Sequence, residues 1–209
     1  MGIQTNSVRP ATVGDIAPLA TMLARAFYDD PPFVWVLPDP GTRLARLERI
    51  FAIMLRGEIP GRDAVEVAWI GDRIAGGAIW LPPGSWPPGI REQLVGLPRY
   101  LRALGRRFTA GSDLTQALAR VHPSEPHWYL STIGVDPDFQ GRGIGGPLLR
   151  SRLRRCDQAG QPAYLESSKP GNVPLYRHFG FRPTGNPVLP EGAPVVTAMW
   201  RPPGPPDVS

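Results

Sequence analysis

The stretch "DFQGRGIGG", residues 138–146, places glycine at 141, 143, 145 and 146, immediately before an apolar, helix-spaced segment. Backbone N–H groups at such a turn, with the positive end of a helix behind them, form a site for phosphate-type anions. Glycine lets the backbone approach an anion with no Cβ in the way. Gln140 and Arg142 add side-chain donors. Two ligands fit the spacing. Gly141, Gly143 and Gly146 match G-x-G-x-x-G, the dinucleotide fingerprint, and Glu166 follows Gly146 by twenty residues, near the usual ribose-binding position. Gln140, Gly143 and Gly145 match Q-x-x-G-x-G, a loop for the pyrophosphate of an acyl-CoA. A plain glycine-rich turn from strand to helix is the third reading.

Other reactive side chains are dispersed. Asp29 and Asp30 stand in "YDDPPFVWVLPDPG", dense in proline, acids and aromatics, and read either as partners for a cationic ligand or as ordinary turn residues. The aromatics of that stretch, with Trp80 and Trp86, could line a pocket for a bulky amine or pack in the core. His122, His127 and His178 are scattered, His127 reads as a strand-edge residue, and no spacing suits a metal. Cys156 is the one cysteine, so no internal disulfide exists, which fits a reducing compartment. It shares a helical pattern with Leu149 and Leu153 and reads as a small core residue.

The elements that must position these groups follow from periodicity. "SVRPAT" is a short strand. Asp15 opens an amphipathic helix with Ile16, Leu19, Leu23, Ala26 and Phe27 at helical spacing. "YDDPPFVWVLPDPG" reads as a loop, and a second helix runs over roughly 42–56. "AVEVAWI" and "IAGGAIWLP" form a hairpin turning at "GDR". Residues 87–122 read as interrupted helix, broken at Pro98 and recapped at "TAGSD". "HWYLSTIGV" is a strand, followed by the glycine loop, a helix over about 143–158, the strand "PAYLESS", a short helix in "GNVPLYRHFG" ending at Gly180, and two closing strands in "FRPTG" and "APVVTAMW". Antiparallel hairpins therefore flank a single β-α-β unit, an α+β order and not a doubly wound sheet.

That order decides against the dinucleotide. Five residues, Asp136 to Gln140, separate the strand from the first glycine, and only about 60 residues remain after Gly146, too few for the second half of a dinucleotide fold. The acyl-CoA loop accounts for the extra residues.

"IGVDPDFQGRGIGGPLL" resembles the signature motif of the GNAT acyltransferase superfamily, and "NVPLYRHFGF", roughly thirty residues on, resembles its later motif. "EPHWYLSTIGVDPDFQGRGIG", "PAYLESSKPGNVPLYRHFGF" and "VLPEGAP" are similar to the puromycin N-acetyltransferase branch over about residues 122–202. The resemblance implies a mixed, mostly antiparallel central sheet flanked by helices. It implies one domain over 1–202, with an acyl-CoA-binding core at 127–182, and the Pro- and Gly-rich composition of "RPPGPPDVS" reads as a disordered tail over 203–209. It implies acetyl-CoA as co-substrate, no metal, and acetyl transfer to a primary amine, of a small antibiotic-like or aminonucleoside molecule or else of a protein. A non-catalytic acyl-CoA-binding module is a further reading.

The site residues it implies are the pyrophosphate loop Gln140, Gly141, Arg142, Gly143, Ile144, Gly145 and Gly146, and the backbone of Ile133 and Val135 along the pantetheine arm. Gly134 between them could mark a bulge that splays the strands, or be a tolerated strand glycine. Tyr176 is implied as the general acid for the departing thiolate, with a core tyrosine as the plain alternative. Asn172 would contact the cofactor arm, cap its helix, or both. Asp30 and Glu166 are candidates for the acceptor amine, and the general base stays unassigned.

Bulk properties agree. The chain has 209 residues and a net charge of +5, which suits an anionic cofactor. The densest basic cluster, "LLRSRLRRC", reads as a solvated helix face and not a nucleic-acid stripe. "MGIQTNSVRP" carries no apolar leader segment and no run approaches membrane-spanning length, so the expectation is a cytoplasmic protein without nucleic-acid or membrane partners, and a homodimer is a guess from relatives.

Overall fold

The structure is a computed structural model describing residues 7–60, 63–87 and 89–205. Seven strands form one sheet: β1 (Ser7–Pro10), β2 (Val65–Ile70), β3 (Arg73–Leu81), β4 (Trp128–Val135), β5 (Ala163–Ser167), β6 (Arg182–Gly185) and β7 (Thr197–Arg201). Their order is β1-β2-β3-β4-β5-β7-β6. β4 and β5 run parallel, joined across α6 (Gly145–Gln158), and every other neighbouring pair is antiparallel. The expected α+β architecture with one β-α-β unit is what the chain forms.

One face of the sheet carries α1 (Ile16–Ala26) and α3 (Pro40–Glu58). Leu19, Leu23, Leu47 and Phe51 pack there on Val65, Val67, Ile79 and Tyr164. The other face carries α6, whose Leu148, Leu149 and Leu153 cover Ala78, Leu130, Leu165 and Met199. The sheet is thin where helices press closest. A Cβ on Gly77 would lie 2.5 Å from Leu19 Cδ1, and one on Gly76 3.0 Å from Ile144 Cγ2.

Asp15 starts α1. Its carboxylate accepts two hydrogen bonds from Arg9 at 2.8 and 2.9 Å and one from the Thr12 N–H at 2.7 Å. The Arg9 bonds chiefly, and those from Thr12, hold it down to about 2 against the cost of burial. A depressed carboxylate adds stability that is complete above its unfolded pKa and is lost as pH falls through the folded one. Asp15 should therefore contribute roughly 1–2 kcal/mol above about pH 4, discounted for the partly exposed Arg9, and lose it towards pH 2. Urea midpoints at pH 7 and below pH 3 should differ less in Arg9→Ala than in the wild type.

Several expectations need correction. "PPFVWV" is a short helix, α2 (Pro31–Val36), because Pro31 takes the first helical position and Asp30 the extended cap. Asp39 caps α3 through Gly41 N–H at 3.0 Å, so that helix begins earlier than its apolar periodicity. Pro98 does not break its helix. α4 (Ile90–Leu104) runs through it; the bond lost is the one to the Leu94 carbonyl, on a turn where Leu94 is 64% exposed. The break is Gly105, at φ +55°, and α5 (Phe108–Ala119) takes in "TAGSD".

The arginine cluster is not simply a solvated face. Arg152 is 1% exposed, donates to the Asp63 carbonyl at 2.5 Å, lies 3.5 Å from Glu66 and stacks 4.5 Å from the Trp128 ring centroid. It sits on the same helix side as Leu148, Leu149 and Cys156. Cys156 is the buried core residue expected, its thiol pushed up to about 11 by burial. At the C-terminus, Gly204 N–H donates to Asp157 Oδ1 at 2.6 Å, so chain expected as tail is pinned that far, and 206–209 lie outside the described residues.

Candidate active site

The parallel pairing of β4 with β5 covers three positions, ending at Leu130↔Leu165. Beyond it the strands are no longer paired with each other. β4 stays paired with β3, where Asp136 N–H bonds to Ala75 C=O at 2.9 Å. Peptide groups alternate sides along a strand. In this register those of Ile133 and Val135 therefore point away from β3, into the wedge facing β5. The Gln140 side-chain amide reaches Val135 C=O from there, at 3.2 Å.

The bulge of β4 is at Ser131 and not at Gly134. The register jumps from Trp80↔Leu130 to Ile79↔Thr132, leaving Ser131 as the extra residue. The packing agrees, since Trp128 and Leu130 on one side of it and Ile133 and Val135 on the other all meet the α6-side cluster, which strict alternation forbids. Gly134 instead admits α1. A Cβ there would stand 3.0 Å from Leu23 Cδ2 and Phe27 Cε2 and 3.1 Å from Ala26 Cβ. Gly134→Ala should cost about 1–3 kcal/mol of stability, as overpacked sites do, read as a lower urea midpoint with unchanged slope.

At the mouth of the wedge, Pro137–Phe139 form one helical turn, and Gly141 (φ +75°) and Gly143 (φ +79°) turn the chain into α6. No atom lies within 4 Å of a Cβ placed on Gly141, Gly143 or Gly145, so this backbone is open on the outer side. Ile144 is the loop's inward anchor, 2% exposed and packed with Leu148. Gly146 N–H bonds to Gly143 C=O at 3.3 Å. Arg142 is exposed, 5.3 Å from the Phe139 ring centroid. The loop's base is clamped: Asp136, 3% exposed, accepts from Arg25 at 3.0 Å, and Asp138 from Arg73 at 2.9 Å. An open backbone bend at the start of a fourteen-residue helix fits a pyrophosphate.

Across the wedge stand the acids and the phenol. Asp30 is 4% exposed and accepts from Ser168 Oγ at 2.5 Å. Burial raises its carboxyl, against the Ser168 bond and the Lys169 charge. Asp29 is exposed. Tyr176 lies on α7 (Val173–His178), 7% exposed, its ring 6.2 Å from that of Phe181. Burial, then the Asp30 charge, pushes its phenol up to about 12, so it is fully protonated near neutral pH. Asn172 precedes α7 with no side-chain cap bond and an exposed side chain, so capping is not its role. Glu166 is the first β5 residue past the last paired position. Its carboxylate lies beside Tyr129 and Tyr164, both raised first by burial and then by its charge.

The sequence reading missed two features. Ser168, the partner of Asp30, has only its place after β5 to mark it. His122 and His127 are not scattered: their Nε2 atoms are 3.0 Å apart, and His122 Nδ1 is 3.9 Å from Glu166 Oε1. The signal was "HPSEPH", where two prolines fold the chain back on itself. His178 is separate, beside Phe179. Of the aromatics expected in a pocket, Trp80 is fully buried beneath α6, and Phe33 packs in the core against Phe27 and Phe51, its ring 5.7 and 5.6 Å from theirs. Trp86 lines a hollow of about 280 Å³ with His122, Glu125, His127 and Tyr129. A larger hollow, about 500 Å³ beside Thr184 and Trp200, touches no residue of the wedge. Among the described residues no group of three or more His, Cys, Asp or Glu could hold a metal ion, and no helix is long and apolar enough to cross a membrane.

Known proteins identify the family to which this fold belongs. The family model for the acetyltransferase (GNAT) domain matches residues 115–200. The chain is 32% identical, over 178 residues, to the uncharacterized N-acetyltransferase C550.08 of Schizosaccharomyces pombe, covering 80% of this chain and 70% of that protein. It is 37% identical over 104 residues to the N-alpha-acetyltransferase RimI of Mycobacterium tuberculosis, covering 48% of this chain and 63% of that one. A crystal structure described as histone acetyltransferase HPA2 and related acetyltransferase from Corynebacterium glutamicum superimposes with a TM-score of 0.73 at 29% identity, covering 97% and 98% of the two chains. The chain belongs to the GNAT acetyltransferases. It is an acetyl-CoA-dependent N-acetyltransferase.

Proposed function

We propose that the acceptor is the primary amine of a small molecule and that the wedge between β4 and β5 is where it meets the thioester. The observation that carries this reading is the depth of the two carboxylates flanking the wedge. The Glu166 side chain is 5% exposed and Asp30 4%. A slender aminoalkyl or aminonucleoside group reaches such acids more readily than a broad protein surface does.

The pyrophosphate rests on the backbone of Gly141–Gly146, with Gln140 and Arg142 at its edge, and Asn172 contacts the cofactor arm. The arm's amides pair with the outward peptide groups of Ile133 and Val135, as an added strand would. The acceptor ammonium is drawn to Asp30 and gives up a proton to the Glu166 carboxylate. The amine lone pair then attacks the thioester carbon, the nitrogen gives its second proton to solvent, and the tetrahedral species collapses to the neutral amide with loss of the CoA thiolate. Tyr176 donates to that sulfur. A phenol at about 12 is a weaker acid than a thiol, so its work is to hydrogen-bond the developing thiolate, and solvent completes the proton's return. An ammonium beside Asp30 cancels part of what raises Tyr176, which makes the phenol a better donor when the acceptor is bound.

The sequence's resemblance to the puromycin N-acetyltransferase branch puts an aminonucleoside first among acceptors. Thiol release from acetyl-CoA, measured across puromycin, simple alkylamines and a short peptide with a free N-terminus, tests the reading. Turnover confined to small amines is expected. Turnover confined to the peptide would replace the acceptor class, and cofactor binding without turnover would make the domain a binding module.

A further inference from the structure

We infer that His122 and His127 form a proton exit behind Glu166, with His127 fixing the tautomer that makes His122 Nδ1 the accepting atom. The inference rests on Glu166 being the base for the acceptor amine, and it concerns where that proton goes next.

The wiring follows from donor and acceptor counts. His127 Nδ1 lies 2.6 Å from the Glu125 carbonyl, which only accepts, so Nδ1 carries a hydrogen. Burial lowers the pKa of His127, so the ring is neutral near pH 7 and its Nε2 is a lone pair. His122 Nε2, at 3.0 Å, must then supply the hydrogen of that contact. His122 Nδ1 is left without a proton when the ring is neutral. It points at Glu166 Oε1, 3.9 Å away. Among the described residues these two buried atoms have no hydrogen-bond partner, while the phenols of Tyr129 and Tyr164 lie beside the same carboxylate.

Two facing acceptors 3.9 Å apart, a gap that a small side-chain turn closes, can receive one incoming proton between them. It is held as Glu166–H with neutral His122, or as Glu166 carboxylate with His122 imidazolium. The pair therefore takes the proton lost by the ammonium at Glu166 and moves it to His122 Nδ1, leaving the amine with its lone pair. The proton then leaves for water in the 280 Å³ hollow that both histidines line. The carboxylate and the neutral ring are restored with no net change.

The groups facing His122 are few. The rings of Trp86, Tyr129, Tyr164 and His127 stand 4.8–5.8 Å away, and among the described residues Glu166 is the carboxylate paired with it. Both phenols are raised, first by burial and then by the Glu166 charge, so they stay neutral near pH 7. The burial that excludes water also makes an unshared charge costly, so a proton on either group is best held beside the other.

Histidine is a positioning residue here, since it acts through Glu166, and two readouts test it. On the whole wild-type protein, long-range ¹H–¹⁵N correlation near neutral pH should find His127 as the Nδ1–H tautomer and His122 carrying a hydrogen at Nε2. In Glu166→Gln the His122 titration should move to lower pH, because the stabilising carboxylate charge is gone. His127 as the Nε2–H tautomer, or a His122 titration indifferent to Glu166→Gln, overturns the wiring whether or not any amine is acetylated. In kinetics, His122→Gln should lower kcat/KM at neutral pH by about 10–100-fold and remove the ascending acid limb of its pH profile. A uniform loss that keeps the limb means the ring is only structural and sinks the proposal. An acetyl-CoA melting shift retained by both variants shows that they are folded and loaded. Absence of amine acetylation in the wild type refutes the acceptor reading of the preceding subsection, and the tautomers still judge the histidine pair.

Discussion

Replacing Tyr176 by phenylalanine is expected to lower kcat for acetyl transfer by about 10²–10⁴-fold while leaving the KM for acetyl-CoA within a few-fold of wild type. The substitution removes one oxygen from a side chain that is 7% exposed and keeps the ring that meets Phe181. Folding stability should therefore change little. In the proposed mechanism the loss belongs in kcat, because the hydroxyl acts on sulfur only as negative charge develops there. It should shrink for thioesters whose leaving thiol is more acidic, since those need less help to depart. Steady-state kinetics with acetyl-CoA and one saturating amine settles it, and full turnover in a folded Tyr176→Phe protein removes the tyrosine from the mechanism.

The second large effect is at the glycine loop. Gly143→Val should raise the KM for acetyl-CoA, and its Kd by calorimetry, by roughly 10–10³-fold. A β-branched residue at φ +79° costs on the order of 1–3 kcal/mol in strain. Its side chain also projects into the open space of the proposed pyrophosphate site. Gly145→Val has no positive φ to oppose it, so it should weaken binding through obstruction alone and by less. Neither change touches the wedge, so kcat at saturating acetyl-CoA should fall far less than KM rises. Equal binding by Gly143→Val and wild type would place the pyrophosphate elsewhere.

The architecture was legible because most of its elements announce themselves by period. Ile16, Leu19 and Leu23 repeat as a helix, the "GDR" hairpin alternates, and one glycine-loop crossover fixes the single parallel pair. Local patterns failed where tertiary context decides. Pro98 reads as a break, yet its helix lies partly in water and tolerates the missing bond. Arg152 reads as surface, yet Trp128, Glu66 and the Asp63 carbonyl together give a guanidinium a buried place. Gly134 invited a bulge, but the extra residue is Ser131, and only the β3 register reveals that. The loop and Tyr176 were visible as motif. The pairing of Asp30 with Ser168, across 138 positions of chain, and the convergence of His122 on Glu166 depend on strand order, which no spacing rule encodes.

The most direct test is a stoichiometric one. Purified protein, acetyl-CoA and a single small primary amine are incubated, and free CoA thiol and N-acetylated amine are quantified over the same time course. Equal amounts of the two products, with thiol release depending on the amine and lost in Tyr176→Phe, are what the wedge chemistry predicts. Thiol released at the same rate without amine, or acetyl-CoA bound with no acetylated product from any small amine, would contradict it.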